Sequence, residues 1–152
     1  MNNLRNSIDK GVEKALVFIL SAMVLNVLWQ VFTRFFTDSP SSFTDELARY
    51  LMIWLGILGA AYVAGRNEHV AIDVLLKKAS PTIQGLLNQF IRFSILAFAF
   101  FGMVLGGGRL VYITSKLEQY SPALQIPLAM VYAVIPLSGL LIVFYKLSQP
   151  KS

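Results

Sequence analysis

The chain has 152 residues, of which 56% are hydrophobic and 14% charged, against roughly 45–50% and about 25% in an ordinary soluble domain. That balance, with a mean hydropathy of +0.63, excludes a soluble globule, and at about 20 apolar residues per bilayer-spanning helix four spans leave little chain for a catalytic domain. The net charge of +5 sits beside apolar runs with no basic block interleaved with aromatics, which excludes a nucleic-acid partner; the lack of Cys excludes disulfides, Cys-ligated metals and thiol exchange.

The first uncharged run, Ala15 to Thr33, lies between Lys14 and Arg34. At about 1.5 Å per residue it nearly matches a hydrocarbon core of roughly 30 Å. It predicts transmembrane helix one over 15–36, an uncleaved signal anchor because the run is too long for a secretory signal and no small-x-small site follows it. The turn-rich Thr37-Asp38-Ser39-Pro40-Ser41-Ser42 comes next. Helix two then covers 43–65, its start reading as a capping box with Ser42 at N-cap and Asp45 at N3.

Between Arg66 and Arg92, Ile72, Leu75, Leu76 and Ala79 recur at helical spacing beside Asp73, Lys77 and Lys78. Ser80-Pro81 adds a helix-start signal, after which Ile83, Leu86, Leu87, Phe90 and Ile91 continue the stripe. The pattern predicts an interfacial amphipathic segment over 69–91 and helix three over 92–113, with Arg92 and Arg109 snorkelling at its ends. In the last uncharged run, Gln119 to Tyr145, Ser121-Pro122 reads as another cap pair. Pro127 starts helix four over 127–146, and Pro136 kinks it.

The expected fold is an all-α membrane protein, one domain over 1–152 with four transmembrane helices. Arg5, Lys10, Lys14, Arg66, Lys77, Lys78, Arg92, Lys146 and Lys151 fall on one side, against Arg34, Arg49, Arg109 and Lys116 on the other. Both termini are therefore expected to be cytoplasmic.

No Asp, Glu, Lys, Arg or His falls near the centre of a predicted span, so the chain alone lacks the intramembrane charge that ion- or proton-coupled transport uses. With His69 as the only His, bis-His haem is excluded. Glu68, His69 and Asp73 form a weak metal pattern that a hydrogen-bonded interfacial turn explains better. Gly106-Gly107-Gly108 lacks the strand and the Lys-Ser/Thr of a phosphate loop. An enzyme is not expected.

What remains is adhesive. Gly56, Ala60 and Ala64, with Gly102 and Gly106, form small-residue faces that let helices approach closely. Asn26, Gln30 and Thr33 share a face of helix one, as interhelical hydrogen bonders or, alternatively, as the lining of a solute pathway. Trp54 reads as a packing knob, and Glu46 and Arg49, at i and i+3, can pair with each other or with a partner. The description is that of an accessory subunit embedded in lipid, packing on a partner through Asn26, Gln30, Trp54, Gly56, Ala60, Ala64, Gly102 and Gly106. A self-contained homo-oligomeric small-solute transporter or channel is the rival.

Arg34, Thr44-Asp45-Glu46-Leu47-Ala48-Arg49, Trp54, Gly59-Ala60-Ala61, Arg66-x-x-His69-Val70-x-Ile72-Asp73 and Ser121-Pro122-Ala123-Leu124-x-Ile126-Pro127, with Tyr132 and Pro136, together resemble the small membrane subunit (DctQ type) of tripartite ATP-independent periplasmic (TRAP) transporters. The likeness runs from about Leu16 to Phe144. Phe43 stands where that pattern often has Trp, which removes a Trp-specific hydrogen bond but keeps an interfacial aromatic. The resemblance implies a non-catalytic subunit of a bacterial inner membrane that pairs with a large elevator-type membrane subunit and a periplasmic substrate-binding protein. It implies sodium-gradient-driven uptake of organic acids, with the sodium ions in the large subunit and no cofactor in this chain.

The resemblance further implies that Arg34, Glu46, Arg49, Arg66, His69, Asp73, Pro122 and Pro127 are structural motif residues. It puts Asp38, Asp45, Lys116 and Glu118 on the periplasmic side, where the binding protein docks. Within that family the chain is most similar to the small subunits of sialic-acid (N-acetylneuraminate) systems, although no residue here reads that sugar acid.

Overall fold

A computed structural model describes residues 2–36, 41–66 and 81–148. Helix α1 is Asn2–Phe36, α2 is Ser42–Arg66 and α3 is Pro81–Ala97. A π-helical stretch, Phe98–Gly106, continues α3 without a break into α4, Gly107–Lys116; α5 is Leu128–Tyr132 and α6 is Val134–Ser148. Four stretches are long and apolar enough to cross a membrane: Arg5–Phe36, Ser42–Gly65, Ile83–Lys116 and Leu128–Ser148. The protein is thus all-α with four spanning helices. The third begins ahead of Arg92 as one rod with the apolar stripe, while residues 69–80 of the predicted amphipathic segment lie outside the described residues.

The helices stand in a row: α1 lies along α2, α2 along α6, and α6 along the π-helical stretch. The core is made of small side chains, Ala61, Ala64 and Ala99 with Ile142, and Ile95, Met103, Leu141 and Val143 pack on it. Large ones such as Phe18, Phe35, Phe90 and Phe93 point outward. In lipid an apolar side chain gains nothing by turning inward, so close van der Waals approach of backbones does the holding.

That approach is tightest where α6 crosses the π-helical stretch. A Cβ on Gly139 would lie 2.7 Å from Met103 Cβ and 3.0 Å from the Ala99 carbonyl oxygen, and one on Gly107 would lie 2.7 Å from Ile135 and 3.0 Å from Pro136. Residues 99, 103 and 107, at four-residue steps, thus make the contact. On the third span the packed face sits one position away from the one the small-residue spacing marks; on α2 it takes in Ala64 of the predicted stripe but not Gly56 or Ala60. Gly102 and Gly106 are exposed while Ala99 and Gly107 are buried; Gly56 and Ala60 are exposed while Ala61, Ala64 and Gly65 are buried.

Pro136 has no N–H for the Tyr132 carbonyl. The lost bond interrupts the helical pattern at Ala133, between α5 and α6 and one turn ahead of the proline, although Ala133 keeps helical dihedrals of φ −59° and ψ −23°. Pro127, extended at φ −61° and ψ 125°, caps α5.

Candidate functional site at the loop end of the bundle

The start of α2 is tied to α1 by amides. Asn26 donates its Nδ2 to the Thr44 carbonyl at 2.8 Å, and Gln30 Nε2 reaches Asp45 Oδ1 at 3.5 Å. Thr33 turns its hydroxyl to the Gln30 carbonyl of its own helix at 3.0 Å. Ser41 supplies the carbonyl that accepts from Thr44 Oγ1 at 2.9 Å and from the Asp45 N–H at 3.3 Å. The capping box predicted around Ser42 is therefore not formed as such: Asp45 accepts from Arg49 at 3.1 Å instead of reaching back. That ion pair also answers the Glu46–Arg49 pairing, because Arg49 goes to Asp45 and Glu46 turns inward.

Glu46 is the one buried acid among the described residues, at 9% exposed. Its Oε1 accepts from the Tyr50 hydroxyl at 2.7 Å, and its Oε2 accepts from the backbone N–H groups of Ala123 at 2.8 Å and Leu124 at 3.0 Å. Those two N–H groups belong to the first turn after Ser121-Pro122. First-turn N–H groups lack a backbone acceptor within the turn, and a carboxylate is a strong acceptor for them. Ser121, fully buried, closes the turn from inside, its Oγ accepting from the Leu124 N–H at 3.2 Å and its carbonyl from the Gln125 N–H at 3.1 Å. The Ser121-Pro122 cap signature is thus real but yields a single turn rather than a helix.

The rest of the 117–127 loop is equally bound to itself. The Gln119 and Glu118 N–H groups return to the Thr114 and Ser115 carbonyls at 3.1 Å each, ending α4. Glu118 sits at φ 47° and Gln125 at φ 54°, the left-handed region that costs a residue with a side chain about 1–2 kcal/mol. The Ser121 N–H to the Ile126 carbonyl and the Leu128 N–H to the Gln119 carbonyl, both 2.9 Å, zip the loop base. Beneath it, Ile19, Tyr50, Leu51, Trp54, Ile126, Met130 and Val131 line an apolar groove of about 250 Å³.

At the opposite end two arginines bond the last carbonyls of other helices. Arg5 Nη2 donates to Gly65 at 2.9 Å and Arg92 Nη2 to Lys146 at 2.7 Å; basic groups suit helix C-termini, where carbonyls lack partners and the dipole is negative. Tyr145 is buried there with its ring against Gly65. Among the described residues no three His, Asp or Glu could hold a metal ion.

The structure therefore brings Asn26, Gln30, Asp45, Glu46, Arg49 and Pro122 together. Lys116 and Glu118 are exposed at the same end, as is Arg34 at the end of α1. Asn26 and Gln30, expected to pack on a partner, engage this chain's own α2. Gly56, Ala60, Gly102 and Gly106 stay open, and Trp54 is half-buried in the groove wall. Asp38, His69 and Asp73, and the Arg66 side chain, lie outside what is described. Sequence reasoning missed Tyr50, Ser121 and the Ala123 and Leu124 N–H groups as partners of Glu46; only the i, i+4 spacing of Glu46 and Tyr50 hinted at them.

A buried carboxylate held by backbone and amides bridging neighbouring helices stand at one end of four helices long and apolar enough to cross a membrane. Residues 23–149 match the family described as tripartite ATP-independent periplasmic transporters, DctQ component, and the chain belongs to that family. It is 30% identical to a TRAP transporter small permease protein of Haemophilus influenzae, over 93% of this chain and 86% of the relative. It is 32% identical to the sialic acid TRAP transporter small permease protein SiaQ of Vibrio cholerae, over 49% of this chain and 43% of that one. It is 30% identical to the C4-dicarboxylate TRAP transporter small permease protein DctQ of Rhodobacter capsulatus, over 66% and 44%. The chain is a small permease subunit of the inner membrane and not an enzyme, and its partners are a large membrane subunit and a substrate-binding protein.

Proposed function

We propose that this chain is the stationary brace of a sodium-gradient-driven uptake system for organic acids, N-acetylneuraminate first among them. One observation carries the reading. Glu46, the one buried carboxylate among the described residues, already accepts from Tyr50, Ala123 and Leu124. Both of its oxygens already serve donors of this chain, which supports placing the sodium sites in the large subunit. The engagement of Asn26 and Gln30 with α2 likewise argues against a solute pathway along α1 and against a self-contained channel.

The brace packs on the large subunit through the open small-residue faces at Gly56, Ala60, Gly102 and Gly106. Both termini are cytoplasmic, which follows the excess of Lys and Arg on that side, so the Glu46 end is periplasmic. There Asp45, Lys116 and Glu118, with Asp38, meet the binding protein. The likeness to SiaQ favours the sugar acid, with a C4-dicarboxylate, named for the Rhodobacter relative, as the competing substrate.

The test is uptake into proteoliposomes. Labelled N-acetylneuraminate should accumulate under an inward sodium gradient only when this chain, the large subunit and the binding protein are all present. Sodium-driven uptake by this chain alone would overturn the brace; uptake of succinate but not N-acetylneuraminate by the full system would overturn the substrate.

A further inference from the structure

We propose that Glu46 is a positioning residue for docking: it holds the 117–127 loop as a rigid platform and thereby sets how readily the periplasmic substrate-binding protein engages the complex. The inference rests on the reading of this end of the bundle as periplasmic. The carboxylate spans 77 and 78 residues of chain to reach the Ala123 and Leu124 N–H groups, so, beyond its bond to Tyr50 on its own helix, it joins the first periplasmic helix start to the second periplasmic loop. A bond that served the bundle alone would join spans, and this one joins a span to a loop.

The loop it holds is built to be rigid. The left-handed conformations of Glu118 and Gln125 persist only because the bonds at both ends of the loop over-determine them, as is common where a binding surface is preformed. Its outward residues are Leu117, Glu118, Gln119, Tyr120, Pro122 and Gln125, with Lys116 beside them at the end of α4. Charges of both signs and two amides around a leucine, a proline and a tyrosine are the make-up of a reversible protein contact; a lipid-facing surface would be apolar throughout, as α1 and α3 are. The occupant that fits is a soluble protein, and fixing the loop beforehand removes the ordering cost from each encounter.

The experiment titrates the binding protein against proteoliposomes holding the large and small subunits. In E46Q one acceptor oxygen becomes an amide donor facing other donors. The binding-protein concentration for half-maximal uptake should rise about five-fold or more while the maximal rate changes less than about two-fold, the signature of a weakened encounter. Hydrogen exchange at the Ala123 and Leu124 amides should quicken while that along α1 does not. E46D, with its charge kept, should recover part of the half-saturation, and S121A, which removes the hydroxyl that accepts from the Leu124 N–H, should move it in the same direction.

Faster loop exchange with an unchanged half-saturation would overturn the proposal, and so would a loss confined to the maximal rate. If E46Q does not co-purify with the large subunit, S121A decides: a raised half-saturation supports the platform and an unchanged one overturns it. A wild-type complex that moves succinate in place of N-acetylneuraminate changes the label and fails the substrate reading alone. Uptake indifferent to the binding protein fails both.

Discussion

The crossing of α6 over the π-helical stretch offers the sharpest test of how this protein is held together. In Gly139→Ala the new methyl would lie 2.7 Å from Met103 Cβ, 3.0 Å from the Ala99 carbonyl oxygen and 3.0 Å from Val104 Cγ2. Carbon atoms rest at about 3.5–4.0 Å, so the two segments must separate by several tenths of an ångström to about 1 Å. Two of the three obstacles, a backbone oxygen and a Cβ, cannot swing aside. Overpacking of this kind costs about 1–3 kcal/mol, and replacing glycine within a helix returns about 0.8–1 kcal/mol. The expected net loss is about 0–2 kcal/mol, up to a roughly 30-fold shift of the folding equilibrium, and the gap from a glycine replaced in open space is the full overpacking cost.

Reversible unfolding in mixed micelles with increasing SDS, followed by far-UV circular dichroism, reads that shift. Gly56→Ala is the reference, because a Cβ there meets nothing within 4 Å, and it should be neutral or slightly stabilising. Equal stability of the two variants would refute the claim that this crossing is sterically closed.

Four further outcomes follow from the same geometry. Ser138→Ala should leave stability unchanged or raise it by about 1 kcal/mol in the same SDS titration, because the Ser138 hydroxyl is fully buried with no hydrogen-bond partner; a clear loss would show that the hydroxyl is bonded. Asn26→Leu removes the bond to the Thr44 carbonyl and should cost roughly 0.6 kcal/mol and at most about 1.7, with no cost refuting its role as glue. Glu118→Gly relieves a left-handed residue at φ 47° and should stabilise the isolated chain by up to about 1 kcal/mol, while a destabilised variant would show that the side chain holds the α4 terminus. Gly56→Leu or Ala60→Leu should reduce co-purification with the large subunit while leaving the SDS midpoint of the isolated chain unchanged, since both positions are exposed in it; undiminished co-purification would count against that face as the contact.

The number and order of the spanning helices were legible because hydropathy over some twenty residues is a collective signal that no single contact overrides. Helix starts at Pro81 and after Pro127 were legible for a local reason, the fixed φ and missing N–H of proline. The packed face was legible only to within one residue. Counting fours from Gly56 or Gly102 finds a stripe, but which flank of it meets a neighbour depends on where Ile135, Pro136 and Tyr145 fall, and no local pattern carries that. The Glu46 cluster was the least legible. Its partners are two backbone N–H groups more than seventy residues away, and a backbone donor has no letter in the sequence. Ser121-Pro122 announced free N–H groups without saying which acid would take them.

The distance along the chain between Glu46 and its acceptor-seeking loop also orders the birth of the protein. Synthesis runs from the N-terminus, so α1 and α2 enter the bilayer and settle against each other through Asn26 well before residues 123 and 124 leave the ribosome. Through that interval the Glu46 carboxylate has Tyr50 on its own helix and the water at the membrane surface. The last hairpin to arrive is therefore the one that closes the lock.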